Sequence, residues 1–106
     1  MWMNHTIARG TPEKINKAVE LLDTPEVRDA FRGAPGFRAV YLVLNQDDPQ
    51  EVISVSVWDS AAEGQAFYGG PVYRQVFGKV AHLVSAPPKY KQFDVKVENV
   101  LEARPA

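Results

Sequence analysis

The stretch that most constrains this chain lies at its centre, where "FRAVYLVLN" (37–45) and "EVISVSVW" (51–58) follow each other with only "QDDPQ" between them. Both runs are rich in β-branched and aromatic residues, which suit a pleated, half-buried backbone, and the spacer holds Pro49 and two aspartates of turn character. The pattern predicts a β-hairpin. Alternation along the first run puts Phe37, Ala39, Tyr41 and Val43 on one face and Val40, Leu42 and Leu44 on the other. A sheet built on such a strand is apolar on both sides and has to be covered twice.

The flanking sequence supplies one cover. "MWMNHTIA" reads as a first strand, and "TPEKINKAVELL" as a helix with Thr11 as N-cap, Pro12 at its first position and a stripe of Ile15, Val19 and Leu22. Thr24 and Pro25 repeat that start signal, so the helix is expected to kink or restart there, and "RGAPGF" ends it. After the hairpin, Ser60 and Glu63 stand at capping-box spacing and open a short helix to Tyr68. Pro71 then starts a helix whose Val72, Tyr73, Val76, Phe77, Val80 and Val84 share one apolar face, and "APP" stops it. "KYKQFDVKVENV" closes with Phe93, Val95 and Val97 alternating against Gln92, Asp94, Lys96 and Glu98. The order β-α-β-β-α-β predicts an α+β, ferredoxin-like protomer with a four-stranded antiparallel sheet and helices on one face. The second sheet face is left for a second copy, which predicts a homodimer packed sheet to sheet.

Length and charge narrow the class. At 106 residues the chain suits one domain, expected over 1–106 with the tail 101–106 outside the core. Twelve Lys and Arg against 13 Asp and Glu, dispersed along the chain, leave no electrostatic footprint for nucleic acid or anionic lipid. No run approaches the roughly 18 apolar residues of a membrane span, and no secretion signal is visible, so a soluble cytoplasmic protein is expected. The lack of cysteine removes disulfides, thiolate nucleophiles and Cys-based metal sites, and only His5 and His82 remain as imidazoles. Nucleotide-binding glycine patterns, nucleophile elbows and His-Glu-x-x-His are absent, so neither a metal nor a cofactor is expected.

"APGF" leading into a strand, the hairpin, "VWDS", a short helix with "QAFYGGP" and an amphipathic helix together resemble the antibiotic biosynthesis monooxygenase (ABM) family, over roughly residues 1–99. The resemblance implies a dimeric α/β barrel with a pocket between sheet and helices. Some members of that family oxidise phenols or hydroquinones with dioxygen and no cofactor, others degrade haem, and many have no assigned activity. The haem-degrading branch uses an Asn on the first strand, a Trp on the short helix and a His on the next. Here Phe67 matches the Trp position, Val76 or Phe77 the His position, and Asn4 is displaced by one from the Asn position, so haem degradation is disfavoured.

What the resemblance implies, then, is a cofactor-independent monooxygenase acting on a phenolic or quinol-like substrate, with a non-catalytic dimeric binding or stress-response protein as the alternative. If Met3 and Ile7 face the helices, His5 lies on the pocket side, where an imidazole could take a phenolic proton. A buried, hydrogen-bonded structural His is the competing reading. Asn4, Thr6, Ser54 and Ser56 form a polar set on the other face of neighbouring strands, either an oxyanion-stabilising lining containing Asn4 or a group bonded across the dimer. Trp58 offers one indole N–H to a substrate oxygen. Phe67, Tyr68, Tyr73 and Phe77, with Tyr41 from the second strand, are the expected walls of a flat pocket, although aromatics at such spacing also make ordinary core. His82 belongs to a polar helix face.

Overall fold

The computed structural model describes residues 1–101, so the last five residues of the expected tail lie outside it. The chain runs β1 (Trp2–Arg9), α1 (Pro12–Leu22), α2 (Pro25–Arg32), β2 (Phe37–Asn45), β3 (Asp48–Trp58), α3 (Ala61–Tyr68), α4 (Pro71–Gly78), a 3-10 turn (Ala81–Leu83) and β4 (Lys89–Asp94). The four strands form an antiparallel sheet in the order β2-β3-β1-β4, the ferredoxin-like arrangement. Among the described residues no helix is long and apolar enough to cross a membrane.

The helix starts follow the capping signals. Thr11, Thr24 and Ser60 each sit in extended backbone and accept a hydrogen bond from the backbone N–H three residues on, while Pro12 and Pro25 occupy first-turn positions where no donor is needed. Ser60 also donates to the Glu63 carboxylate at 3.0 Å. Gly36, at φ +78°, turns the chain into β2, and the Glu63 carboxyl group fills the space a side chain there would need.

Burial along β1 decides which sheet face is covered. Trp2, Asn4, Thr6 and Ala8 are buried under the helices, while Met3, His5 and Ile7 are half-buried on the open face. The β1–β3 register sets Trp2 opposite Trp58, Asn4 opposite Ser56 and Thr6 opposite Ser54, so the polar set points inward, toward the helices of its own chain. The expectation that it bonds across a dimer is therefore corrected. The core is aromatic at one end: Trp58 lies 5.5 Å from Phe37 and 5.0 Å from Phe67, and Phe31 lies 4.8 Å from Phe67.

Four local readings change. Phe37 does not share a face with Ala39, Tyr41 and Val43: a register shift at Arg38 pairs Phe37 with Trp58 on the helix side, as a bulged strand permits. β3 begins at Asp48, inside the expected spacer, because the second shift between Leu44 and Asn45 lets Pro49 sit in the strand without a ladder donor. The last helix stops at Gly78, a weak helix former, and its remaining apolar residues enter a tighter turn closed by Val80 N–H to Phe77 C=O and Leu83 N–H to Val80 C=O. β4 ends at Asp94, not beyond Val97, because it has run off the end of β1: its last rung is Trp2–Asp94, followed by one bond from Val95 N–H to Met1 C=O. Glu98 then reaches Arg38, which it shares with Asp59.

The tightest fit in the core is at Gly64, where an added Cβ would lie 2.2 Å from the Trp2 ring and 3.1 Å from Trp58. Gly64→Ala is expected to lower stability by about 1–3 kcal/mol despite the better helix propensity of alanine, because the indoles have no free space to retreat into. Urea unfolding of the two proteins checks this, and an unchanged midpoint would contradict it.

Candidate functional site

Between the helix-facing side of the sheet and the helices lies a cavity of about 510 Å³. Its floor comes from Thr6 and Ala8 of β1, Val40 and Leu42 of β2, and Val52 and Ser54 of β3. Its roof is Val19 and Leu22 of α1, Val27 and Phe31 of α2, and Tyr73, Val76 and Phe77 of α4. Small residues lining it (Ala8, Ala18, Ser54) leave room between the floor and the apolar faces of α1 and α4. Asp23 and Arg28 also line it, joined to each other by an ion pair and both largely exposed. The wall is thus mostly apolar, with the hydroxyls of Thr6, Ser54 and Tyr73 on it.

Around Thr6 the polar groups pair off in three sets. Asn4 Nδ2 donates to Thr6 Oγ1 at 3.0 Å, and Trp58 Nε1 donates to Ser56 Oγ at 2.9 Å. Ser56 Oγ and Tyr68 Oη lie 2.6 Å apart, and Tyr73 Oη and Tyr90 Oη 3.1 Å apart. No buried side-chain polar atom among the described residues lacks a partner. Burial raises the pKa of the Tyr68 hydroxyl, opposed in part by its hydrogen bond with Ser56. Burial, followed by the hydrogen bond with Tyr90, raises that of Tyr73 far above the usual phenol value. Tyr73 is therefore a phenol that stays protonated at the cavity wall.

The candidate residues separate into three groups. Tyr73 and Phe77 line the cavity, and Tyr41 borders it at the β2 edge, although its pairing with Val55 turns it to the open face, where it is 61% exposed. Trp58 and Phe67 are core: Trp58 is fully buried and its N–H is already taken by Ser56, while Phe67 packs between Phe31 and Tyr73. Asn4 is buried one layer behind the cavity and reaches it through Thr6. His5 is on the opposite sheet face, beside Phe93 at a ring separation of 4.7 Å, because β1 buries its even-numbered residues and parity sends His5 outward with Met3 and Ile7. Within one chain it does not meet the cavity. His82 is exposed in the 3-10 turn, and the described residues contain no cluster of three or more His, Cys, Asp or Glu that could hold a metal ion.

Sequence reasoning missed Arg28, Asp23 and Tyr90 as site neighbours. The spacing of Tyr68 and Tyr73 on consecutive helices was visible, but Tyr90 joins them only through its pairing opposite Thr6.

An antiparallel ferredoxin-like sheet with a mostly apolar cavity under its helices defines an α+β domain. The chain belongs to the antibiotic biosynthesis monooxygenase family, whose model matches residues 3–79. No curated protein shows a significant match. Among solved structures, it is similar to a proposed antibiotic biosynthesis monooxygenase from Nitrosomonas europaea (16% identity, TM-score 0.76, covering 92% of this chain and 100% of that one). It is also similar to a proposed antibiotic biosynthesis monooxygenase from Deinococcus radiodurans (17%, TM-score 0.75, 96% and 100%). A third is Rv0793 from Mycobacterium tuberculosis (18%, TM-score 0.73, 93% and 98%). At these identities the likeness is one of fold.

Ser56 is the joint of the buried polar set. Ser56→Ala is expected to cost about 1–3 kcal/mol, since it strands the Trp58 N–H and the Tyr68 hydroxyl together, whereas Tyr68→Phe, which removes only one member, costs less. Thermal unfolding of both variants tests the order.

Proposed function

We propose that this chain is a cofactor-independent monooxygenase that takes a phenolic or quinol-like aromatic into the cavity and acts as a cytoplasmic homodimer joined through the open sheet face. The observation that carries the reading is the cavity: an apolar slot of about 510 Å³ with hydroxyls from Thr6, Ser54 and a protonated Tyr73 on its wall. Family membership supports it.

The chemistry needs no external reductant. In an anthrone-type substrate, loss of a proton gives an electron-rich enolate that bonds dioxygen at carbon. The resulting hydroperoxide loses water as the carbonyl forms, so CH2 and O2 become C=O and H2O, and the substrate supplies the electrons. Asp23, the carboxylate lining the cavity, accepts the first proton in place of His5, which faces away. Tyr73 donates a hydrogen bond to the peroxide oxygen as charge develops there, the proton held by Asp23 completes the hydroperoxide, and Thr6 and Ser54 hold the ring oxygen. Apolar walls exclude water from the anion.

A non-catalytic binding protein is the second reading, favoured by the complete internal satisfaction of Asn4, Ser56 and Trp58, which leaves none of them free for a ligand. Dioxygen uptake with a panel of anthrones and hydroquinones separates the two. Uptake by the wild type is expected to fall about a hundredfold in Tyr73→Phe, at the lower end of what one hydrogen-bond donor to a developing oxyanion contributes, and to persist in His5→Ala. No uptake across the panel leaves the binding reading.

The dimer rests on the open face, where Met3, Ile7, Ile53, Val55 and Val57 surround His5 and the exposed Val43 and Phe93. Val55→Lys at its centre is expected to convert a sedimenting dimer to a monomer with unchanged helical signal. A monomeric wild type would overturn the dimer.

A further inference from the structure

The geometry points to a second activity: Trp58, Tyr68, Tyr73 and Tyr90 form a relay that carries a one-electron oxidising equivalent from the core and the cavity to the surface. The rings are in sequence. Trp58 and Tyr68 have centroids 6.1 Å apart, and Tyr68 and Tyr73 4.7 Å. The Tyr73 and Tyr90 hydroxyls are 3.1 Å apart, and Tyr90 is 46% exposed at the β4 edge. Trp2, the other tryptophan, also lies against Tyr68, at 6.5 Å, so both indoles feed the same phenol. The chain has no cysteine to intercept a radical on the way.

A phenol gives up an electron readily only if its proton has somewhere to go, and each step has a hydroxyl for it. When the Trp58 indolyl radical takes an electron from Tyr68, the Tyr68 proton passes to Ser56 Oγ and the Ser56 proton to Trp58 Nε1, across contacts of 2.6 and 2.9 Å. The net transfer is one hydrogen atom, from Tyr68 to Trp58. Thr6 stands directly across the strands from Tyr90 and is held by the Asn4 amide, and in the relay its hydroxyl passes the Tyr73 proton to Tyr68 as the electron crosses between rings 4.7 Å apart. Tyr73 then recovers a hydrogen atom from Tyr90: one O–H bond breaks and the other re-forms. At the surface a thiol- or ascorbate-class reductant returns a hydrogen atom to the Tyr90 phenoxyl and is itself oxidised.

Tyr73 is also the cavity's entry to the relay. A peroxyl or oxyl radical in the cavity abstracts the Tyr73 hydrogen, becomes a hydroperoxide or alcohol, and leaves a phenoxyl that Tyr90 repairs. The inference goes beyond the oxygenase reading and does not need it, because a radical made in the core by light has to follow the same route.

Ultraviolet flash photoionisation of the tryptophans in the full-length protein, without substrate, tests this, with nitric oxide as radical trap and peptide mass mapping as readout. In the wild type the indolyl signal is expected to convert to phenoxyl at a rate independent of protein concentration, with the trapped adduct on Tyr90. Tyr41, which the sheet separates from the relay, is the control. Tyr68→Phe should prolong the indolyl signal, Tyr73→Phe should abolish the Tyr90 adduct, and Tyr41→Phe should change neither. Should the buried substitutions unfold the chain, Tyr90→Phe at the surface still decides, by leaving the phenoxyl stranded on Tyr73. Adducts on Tyr41 in preference to Tyr90, or Tyr90 labelling that survives Tyr73→Phe in folded protein, would overturn the relay. Either result leaves the dioxygen-uptake experiment unaffected.

Discussion

The structure depends on one buried arrangement, the Trp58 indole pressed into an aromatic core with its N–H satisfied by Ser56. A fully buried indole contributes a large apolar area, but its N–H costs free energy if it is left without an acceptor. Ser56 solves this two residues earlier on the same strand face, and in doing so brings in Tyr68. That contact fixes how α3 sits on the sheet, and with it the closeness of Gly64 to Trp2 and the line of tyrosines running outward from the core.

The same packing explains why the cavity is where it is. Large aromatics fill the end of the sheet–helix interface near Trp2, Phe37 and Trp58, while the other half is floored by smaller side chains, Thr6, Ala8, Val52 and Ser54. The aromatics of α2 and α3 pack on the tall end, while Ile15 of α1 reaches down to Ala8 and Val52 at the other. The cavity is therefore a consequence of uneven side-chain volume across the sheet, and a phenol, Tyr73, stands near the boundary between the two halves. Burial there holds it protonated, which suits it to donate a hydrogen bond or a hydrogen atom and unsuits it as a base.

Much of the fold was legible from local chemistry. Three N-caps and two first-turn prolines place three helices, and the hairpin and closing strand follow from alternation. The misreadings occur where a local pattern meets a non-local partner. Arg38 is an unremarkable strand residue until the β2–β3 register slips there and turns Phe37 inward. Val95 and Val97 continue a good strand pattern with no strand left to pair with. The site was less legible: Tyr73 and Phe77 could be singled out as pocket walls by their helix face, but Tyr90 and Arg28 carry no sequence signal for it.

His5 marks the division most clearly. Alternation in β1 determines that His5 travels with Met3 and Ile7, and that Asn4 travels with Thr6, because successive side chains on a strand point to opposite faces. It does not determine which set the helices cover, since each carries apolar residues, Met3 and Ile7 in one and Trp2 and Ala8 in the other. That was decided by tertiary structure: Trp2 packs with Trp58 and Tyr68 under α3, and once it is inside, every even-numbered residue of the strand follows it and every odd-numbered one is turned to the open face. The sequence by itself determined the elements and the partition of residues between two faces, whereas only the packing of large aromatics, a long-range volume constraint, decided which face became the interior.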